Sequence, residues 1–178
     1  AKAQSEELKR VVYWGQQSSG ELQALMAKTG YERFTACDTA ADDVCLIAFT
    51  SGTTGEPKGT MHFHRDMLAI CDSYAKYVLK AEPADRFTGS PPLAFTFGLG
   101  GLVLFPLRIG ASTVLLEKAG PDELLDAIAK YKITIPFTAP TAYRAMLGKL
   151  KDHDISSLRK CVSAGETLPK ATFDAWKA

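Results

Sequence analysis

From residue 112 onward the chain alternates, and this alternation limits its possible folds more than any other feature. Short apolar, β-branched stretches at 112–116, 133–137 and 158–163 are separated by stretches of helical spacing at 121–131, 141–150 and 169–177. Pro121 suits the first turn of its helix, and Asp122 and Glu123 suit the positive end of the helix dipole. Repeated strand–helix units imply parallel strands joined by right-handed crossovers, with helices on both faces of the sheet. Ligands in such α/β folds sit at the carboxyl ends of the strands.

The first half extends the pattern less regularly. Residues 1–8 read as a polar lead-in, 8–14 as a strand, and 21–28 as a helix stopped by Gly30. The run 44–49 reads as a buried strand, followed after a loop by a short mixed stretch at 60–63. Residues 65–80 form an amphipathic pattern whose apolar stripe (Met67, Leu68, Ile70, Cys71, Tyr74, Tyr77 and Val78) is expected to pack in the core. Residues 85–90 read as a strand edge ahead of Pro91 and Pro92. The loops at 50–59, 138–141 and 164–167, each after a strand, are then expected on one rim of the sheet.

The loop at 50–59 has the most distinctive chemistry, T-S-G-T-T-G-E-P-K-G. Gly52, Gly55 and Gly59 let the backbone approach a ligand closely, and Thr50, Ser51, Thr53 and Thr54 add hydroxyl donors. Lys58 adds one positive charge, and Pro57 stiffens the approach to it. Such a set suits a polyphosphate. It is not the common G-x-x-x-x-G-K-[ST] loop, because Glu56 and Pro57 separate Gly55 from Lys58 and a glycine follows the lysine. A Gly/Thr-rich surface turn with a chance lysine is the plainer alternative.

Composition removes several function classes. A net charge of +1, with no basic run, gives no footprint for nucleic acid. No apolar stretch reaches the ~18 residues of a membrane span, and the polar start carries no signal-peptide pattern. Cys37, Cys45, Cys71 and Cys161 form no C-x-x-C pair, so buried reduced thiols in a cytoplasmic protein are expected. His62 and His64 lack a third ligand nearby, and no metal site is expected within the chain.

The ten residues 50–59, the apolar strand before them and the His64-Arg65 pair after them together resemble the phosphate-loop signature of the adenylate-forming enzymes. That superfamily includes acyl-CoA synthetases, luciferases and peptide-synthetase adenylation domains. The resemblance implies that Thr50, Ser51, Gly52, Thr53, Thr54, Gly55, Lys58 and Gly59 grip the departing phosphates of ATP, with Thr53 and Lys58 closest to the chemistry. It implies a supporting role for His64. The segment S-A-G-E-T-L-P at 163–169 resembles the family's second nucleotide segment, so Ala164, Gly165, Glu166 and Thr167 are expected along adenine and the α-phosphate. By itself it reads equally as a left-handed turn with a capping acid.

The run L-A-F-T-F-G-L-G at 93–100 resembles the acyl-pocket motif of benzoate and aminobenzoate CoA ligases. Phe95 would be the gate, with Thr96, Phe97, Gly98 and Ala139 along the pocket. An aromatic wall suits a flat aryl acid, although Phe95 and Phe97 could also simply fill the core. The implied activity is an acid–CoA ligase that uses ATP, Mg2+ and CoA. The alternatives are an adenylation domain that feeds a carrier protein, or a nucleotide-binding module without catalysis. The family's magnesium-binding Thr-Glu pair, ribose aspartate and catalytic lysine lie beyond the matched motifs. Residues 1–178 are therefore expected to be part of the large N-terminal domain, inactive alone and lacking the mobile C-terminal domain and the rest of the enzyme.

Overall fold

The computed structural model describes residues 21–28, 35–49, 55 and 57–177. The expected strand at 8–14 lies outside them. The chain divides into two compact units, Ala1–Thr39 and Ala40–Ala178. In the first, the described residues include one short helix, α1 (Glu21–Met26). All that follows concerns the second.

Its centre is a four-stranded parallel sheet in the order β4-β3-β5-β6. The strands are β3 (Arg86–Gly89), β4 (Ser112–Thr113), β5 (Ile135–Thr138) and β6 (Val162–Ser163). β3 pairs with β4 on one side and β5 on the other, so it is an internal strand and not the edge that the sequence suggested. β5 is buried at every position, as the continuous apolar run of a strand covered on both faces requires. β4 and β6 are only two residues long. In place of the longer strand expected at 158–163, the N–H groups of Arg159 and Lys160 both donate to the Thr134 carbonyl.

The chain leaves β3 for β4 in one direction and then returns past β3 to β5 and β6. With right-handed crossovers, this reversal puts the two sets of helices on opposite faces. The first set is α3 (Thr96–Leu99), continued by a π-helical turn at Gly100–Leu104, and α4 (Phe105–Ile109). The second is α5 (Pro121–Tyr131) and α6 (Pro140–Met146), the latter ending in a 3₁₀ segment at Leu147–Asp152. One core joins Phe87, Ile135 and Phe137 of the sheet to Leu102, Phe105 and the helix at 71–78. A second core gathers Leu124, Leu125, Tyr143 and Met146, with Trp176 of α7 (Lys170–Lys177) packed against it.

Before the sheet, α2 (His64–Ile70) runs into a π-helical segment, Cys71–Val78. The wide turns show in the bond from the Leu79 N–H to the Tyr74 carbonyl, 2.8 Å. This longer repeat selects the buried stripe. Cys71, Ala75 and Leu79 face the core, whereas Leu68, Ile70, Tyr74, Tyr77 and Val78, expected there, are exposed. Arg108 of α4 forks onto Asp72 at 3.0 and 2.9 Å and ties the two helical segments together.

The strand before the glycine-rich loop departs furthest from expectation. β1 (Val44–Phe49) pairs antiparallel with β2 (Gly59–Phe63) in a separate two-stranded sheet. β1 is therefore not a strand of the parallel sheet, and residues 50–54 and 56 of the loop that joins it to β2 lie outside the described residues. The stretch 60–63 looks too short and mixed to be a strand because only its inner face is covered. Ile47, Phe49 and Met61 share the outer face and are exposed. The expected buried strand is thus half-covered. The thiols also differ: all four cysteines are free, but the expected burial holds for Cys71 alone, and Cys37, Cys45 and Cys161 are exposed.

At the amino ends of the parallel strands, Asp85 is buried and accepts hydrogen bonds from Arg159, from Thr134 Oγ1 at 2.8 Å and from the Glu82 N–H at 2.7 Å. Burial pushes its carboxyl upward, but these donors outweigh burial and hold it below the ordinary carboxylate value. The pair locks β3 to the segment leading into β6, at the opposite end from the loops described next.

Candidate active site at the carboxyl ends of the parallel strands

The reversal in strand order falls between β3 and β5, which is where an open α/β sheet leaves a crevice. Side chains meet there. Ser90, just after β3, and Thr138, the last residue of β5, join hydroxyl to hydroxyl at 2.5 Å, and the Ser90 N–H donates to the Phe137 carbonyl at 3.0 Å.

A cavity of about 440 Å³ opens at this edge of the sheet, with Phe137 of β5 and Ser163 of β6 in its lining. Thr96, Phe97, Gly100 and Gly101 form one side; Phe105 and Phe137 lie behind, and Ala164 closes the rim. Three aromatic rings form a continuous wall, with Phe137 5.6 Å from Phe97 and 6.3 Å from Phe105 between centroids. Tyr74 extends it, 5.7 Å from Phe105. The backbone reaches this wall closely only because Gly101 has no side chain: a Cβ there would come within 2.4 Å of the Phe137 ring. Such a space takes a flat, largely apolar group and offers it ring faces and edges.

Of the residues expected in the acyl pocket, Thr96 and Phe97 line this cavity. Phe95 does not; it is 65% exposed at the N-cap of α3. Gly98 is buried on the other side of the helix, where a Cβ would meet the Pro92 carbonyl oxygen at 2.1 Å. Ala139 is the N-cap of α6 and is not in the cavity lining. Sequence reasoning missed Tyr74, Phe105 and Phe137, which it could only read as core. Their periodicity matches packing, and only the strand order reveals that the core opens at this edge.

In the second candidate segment, Ala164 lines the cavity. Gly165 adopts a left-handed backbone, φ +92°, and turns the chain out of β6. Glu166 and Thr167 are exposed, and Glu166 Oε1 accepts a hydrogen bond from Thr141 Oγ1 at 2.8 Å. In the glycine-rich loop, Thr50, Ser51, Gly52, Thr53 and Thr54 lie outside the described residues. Gly55 and Lys58 are exposed, and Gly59 opens β2 opposite Phe49.

The hairpin rests on α2. The Thr60 hydroxyl donates to the Ala48 carbonyl at 2.8 Å, and His62 Nε2 lies 3.3 Å from Thr60 Oγ1. His62, Leu46 and Asp66 line a small hollow of about 160 Å³ between hairpin and helices. His64 starts α2, and its backbone N–H donates to the Asp43 carbonyl at 3.2 Å. A further cavity of about 650 Å³ lies between β6 and α7 against Tyr143, Phe173 and Trp176, and none of the expected site residues line it. Among the described residues no three His, Cys, Asp or Glu side chains come together as a metal site, and no helix is long and apolar enough to cross a membrane.

Comparison with known proteins adds independent information. A family profile described as AMP-binding enzyme matches residues 1–178. The benzoate–CoA ligase of Thauera aromatica is 36% identical over 175 residues, which are 96% of this chain and 33% of that protein. The anthranilate–CoA ligase of Pseudomonas aeruginosa is 32% identical over 153 residues, 85% of this chain and 29% of that protein. A crystal structure of an anthranilate CoA ligase in complex with anthranoyl-AMP superposes with a TM-score of 0.77 at 41% identity, over 82% of this chain and 29% of that one. The chain thus spans about a third of the length of the curated relatives it matches.

Proposed function

Because the chain belongs to the AMP-binding enzyme family, we propose that it is part of the large N-terminal domain of an AMP-forming aryl-acid–CoA ligase. The whole enzyme would join an aromatic carboxylic acid, with benzoate and 2-aminobenzoate as the leading candidates, first to AMP and then to CoA. A cytoplasmic location, where ATP and CoA are supplied, is part of the same reading. The observation that carries it is the ring-walled cavity of about 440 Å³ at the strand-order reversal, with Ala164 on its rim.

In the first step a carboxylate oxygen bonds to the α-phosphorus of ATP while the bond to the bridging oxygen of pyrophosphate breaks. In the second, the sulfur of CoA bonds to the acyl carbon and AMP departs. The ring would stack against Phe97 and Phe137, with its carboxylate toward the turn at 164–167. Backbone and hydroxyl groups of 50–55, with Lys58, would hold the departing β- and γ-phosphates, where negative charge is most crowded. Magnesium would shield those charges, and the described residues offer no cluster fitted to hold it. The part assigned to this chain is to bind and orient both substrates. An enzyme limited to these residues would hold half a nucleotide pocket.

Carboxylate-dependent exchange of pyrophosphate into ATP tests this in a polypeptide that carries the chain at the length of its relatives. Benzoate and 2-aminobenzoate should drive exchange well above acetate or a medium-chain fatty acid, and the 178-residue chain should give none. Exchange with aliphatic acids alone would discard the aryl pocket. No exchange with any acid would discard the ligase.

A further inference from the structure

Thr141 has no part in the scheme above, yet it touches the site. It stands in the first turn of α6, and its hydroxyl donates to Glu166 Oε1 at 2.8 Å. The two residues follow neighbouring parallel strands whose last members are in register, Thr138 opposite Ser163. Among the described residues this is the one side-chain hydrogen bond between the loops at 138–141 and 164–169.

The turn it reaches needs a tether. Gly165, at φ +92°, has open space where a Cβ would be, so packing does not hold the backbone at that point. One residue before it, Ala164 forms the cavity rim; one residue after it, Glu166 is tied to α6. Fixing the carboxylate beyond a glycine pivot fixes the direction in which the pivot turns the chain. It also holds a negative side chain in one place beside a site proposed to receive phosphates.

We propose that Thr141 is a positioning residue: through Glu166 it holds the 164–167 turn in the conformation that closes the rim of the aryl-acid cavity. The importance of that rim rests on the function proposed above; the tether itself does not. Both side chains are exposed, so water competes for the bond. A net hydrogen bond of this kind corresponds to about threefold to tenfold in a local equilibrium.

Amide hydrogen exchange at residues 165–167 tests the tether in the wild-type chain, in Thr141→Val, which keeps the shape but loses the donor, and in Thr141→Ser, which keeps the donor. Exchange there should speed up about threefold to tenfold in Thr141→Val, with α6 unchanged, and return to the wild-type rate in Thr141→Ser. Unchanged rates in the valine variant, an equal rise throughout α6, or failure of serine to restore protection would overturn the proposal. In the longer enzyme, Thr141→Val should raise KM for the aryl acid by a similar factor with kcat nearly unchanged. A fall in kcat at constant KM would overturn the rim assignment. If the wild-type enzyme shows no acid-dependent exchange of pyrophosphate, the ligase reading fails, and hydrogen exchange still decides the tether.

Discussion

The two sheets of this molecule are built from similar residues and covered very differently. β5 is buried along its whole length, between helices on both faces. β1, with the equally apolar sequence VCLIAF, leaves Ile47 54% and Phe49 70% exposed. The parallel sheet is therefore a packed frame whose carboxyl edge can support a cavity wall. The hairpin packs on one side only, against α2, and its outer face is open. A frame suits recognition by shape, and a loop carried on a hairpin suits capture of a charged group. Such a division fits a reaction in which one substrate must be selected and the other gripped.

The contrast predicts where the chain is fragile. The largest effect should come from the frame, at Asp85→Asn. This substitution leaves Arg159 beside a carboxamide in a buried setting and should cost about 3 kcal/mol, read as a lower urea midpoint. The pH dependence follows from the lowered carboxyl of Asp85 in the folded state. Its stabilisation is complete above the unfolded carboxylate value of about 4 and is lost as pH falls through the folded value. The variant should therefore show a flatter loss of stability in acid than the wild type, and an unchanged acid limb would mean that Asp85 is not the group responsible.

The smallest effect should come from the outer face of the hairpin. Phe49→Ser should change stability by no more than about 0.5 kcal/mol, because the ring is already in solvent. A loss above about 1 kcal/mol would show that the face is covered in solution and would remove the contrast between the two sheets.

How much of this was legible in the sequence follows the same division. The crossover helix at 121–131 appears with the bounds its pattern predicts, because Pro121, the first-turn acids and a buried apolar stripe all agree. The loops after β5 and β6 meet at one edge, as the alternation requires. The hairpin was hidden, since a six-residue apolar run reads as a buried parallel strand unless its partner is recognised, and Thr60 and His62 disguise that partner. The cavity was only partly visible. Thr96 and Phe97 stand in a recognisable motif, but Phe105 and Phe137 look like any core aromatic, and Phe95, the expected gate, is exposed outside the lining. Thr141 gave no signal, because a tether between two loops depends on which strands are neighbours.

One kinetic comparison tests the division of labour most directly: pyrophosphate exchange in the longer enzyme with Lys58→Ala in the hairpin and Gly101→Ala in the frame. Gly101→Ala sets a methyl group against the Phe137 ring and should raise KM for the aryl acid about tenfold while leaving KM for ATP near its wild-type value. If Lys58 grips the phosphates as proposed, Lys58→Ala should lower kcat about a hundredfold, with KM for the acid unchanged. If both variants shift the same parameter, or if Gly101→Ala alters ATP rather than the acid, the account of a frame that selects and a hairpin that grips is wrong.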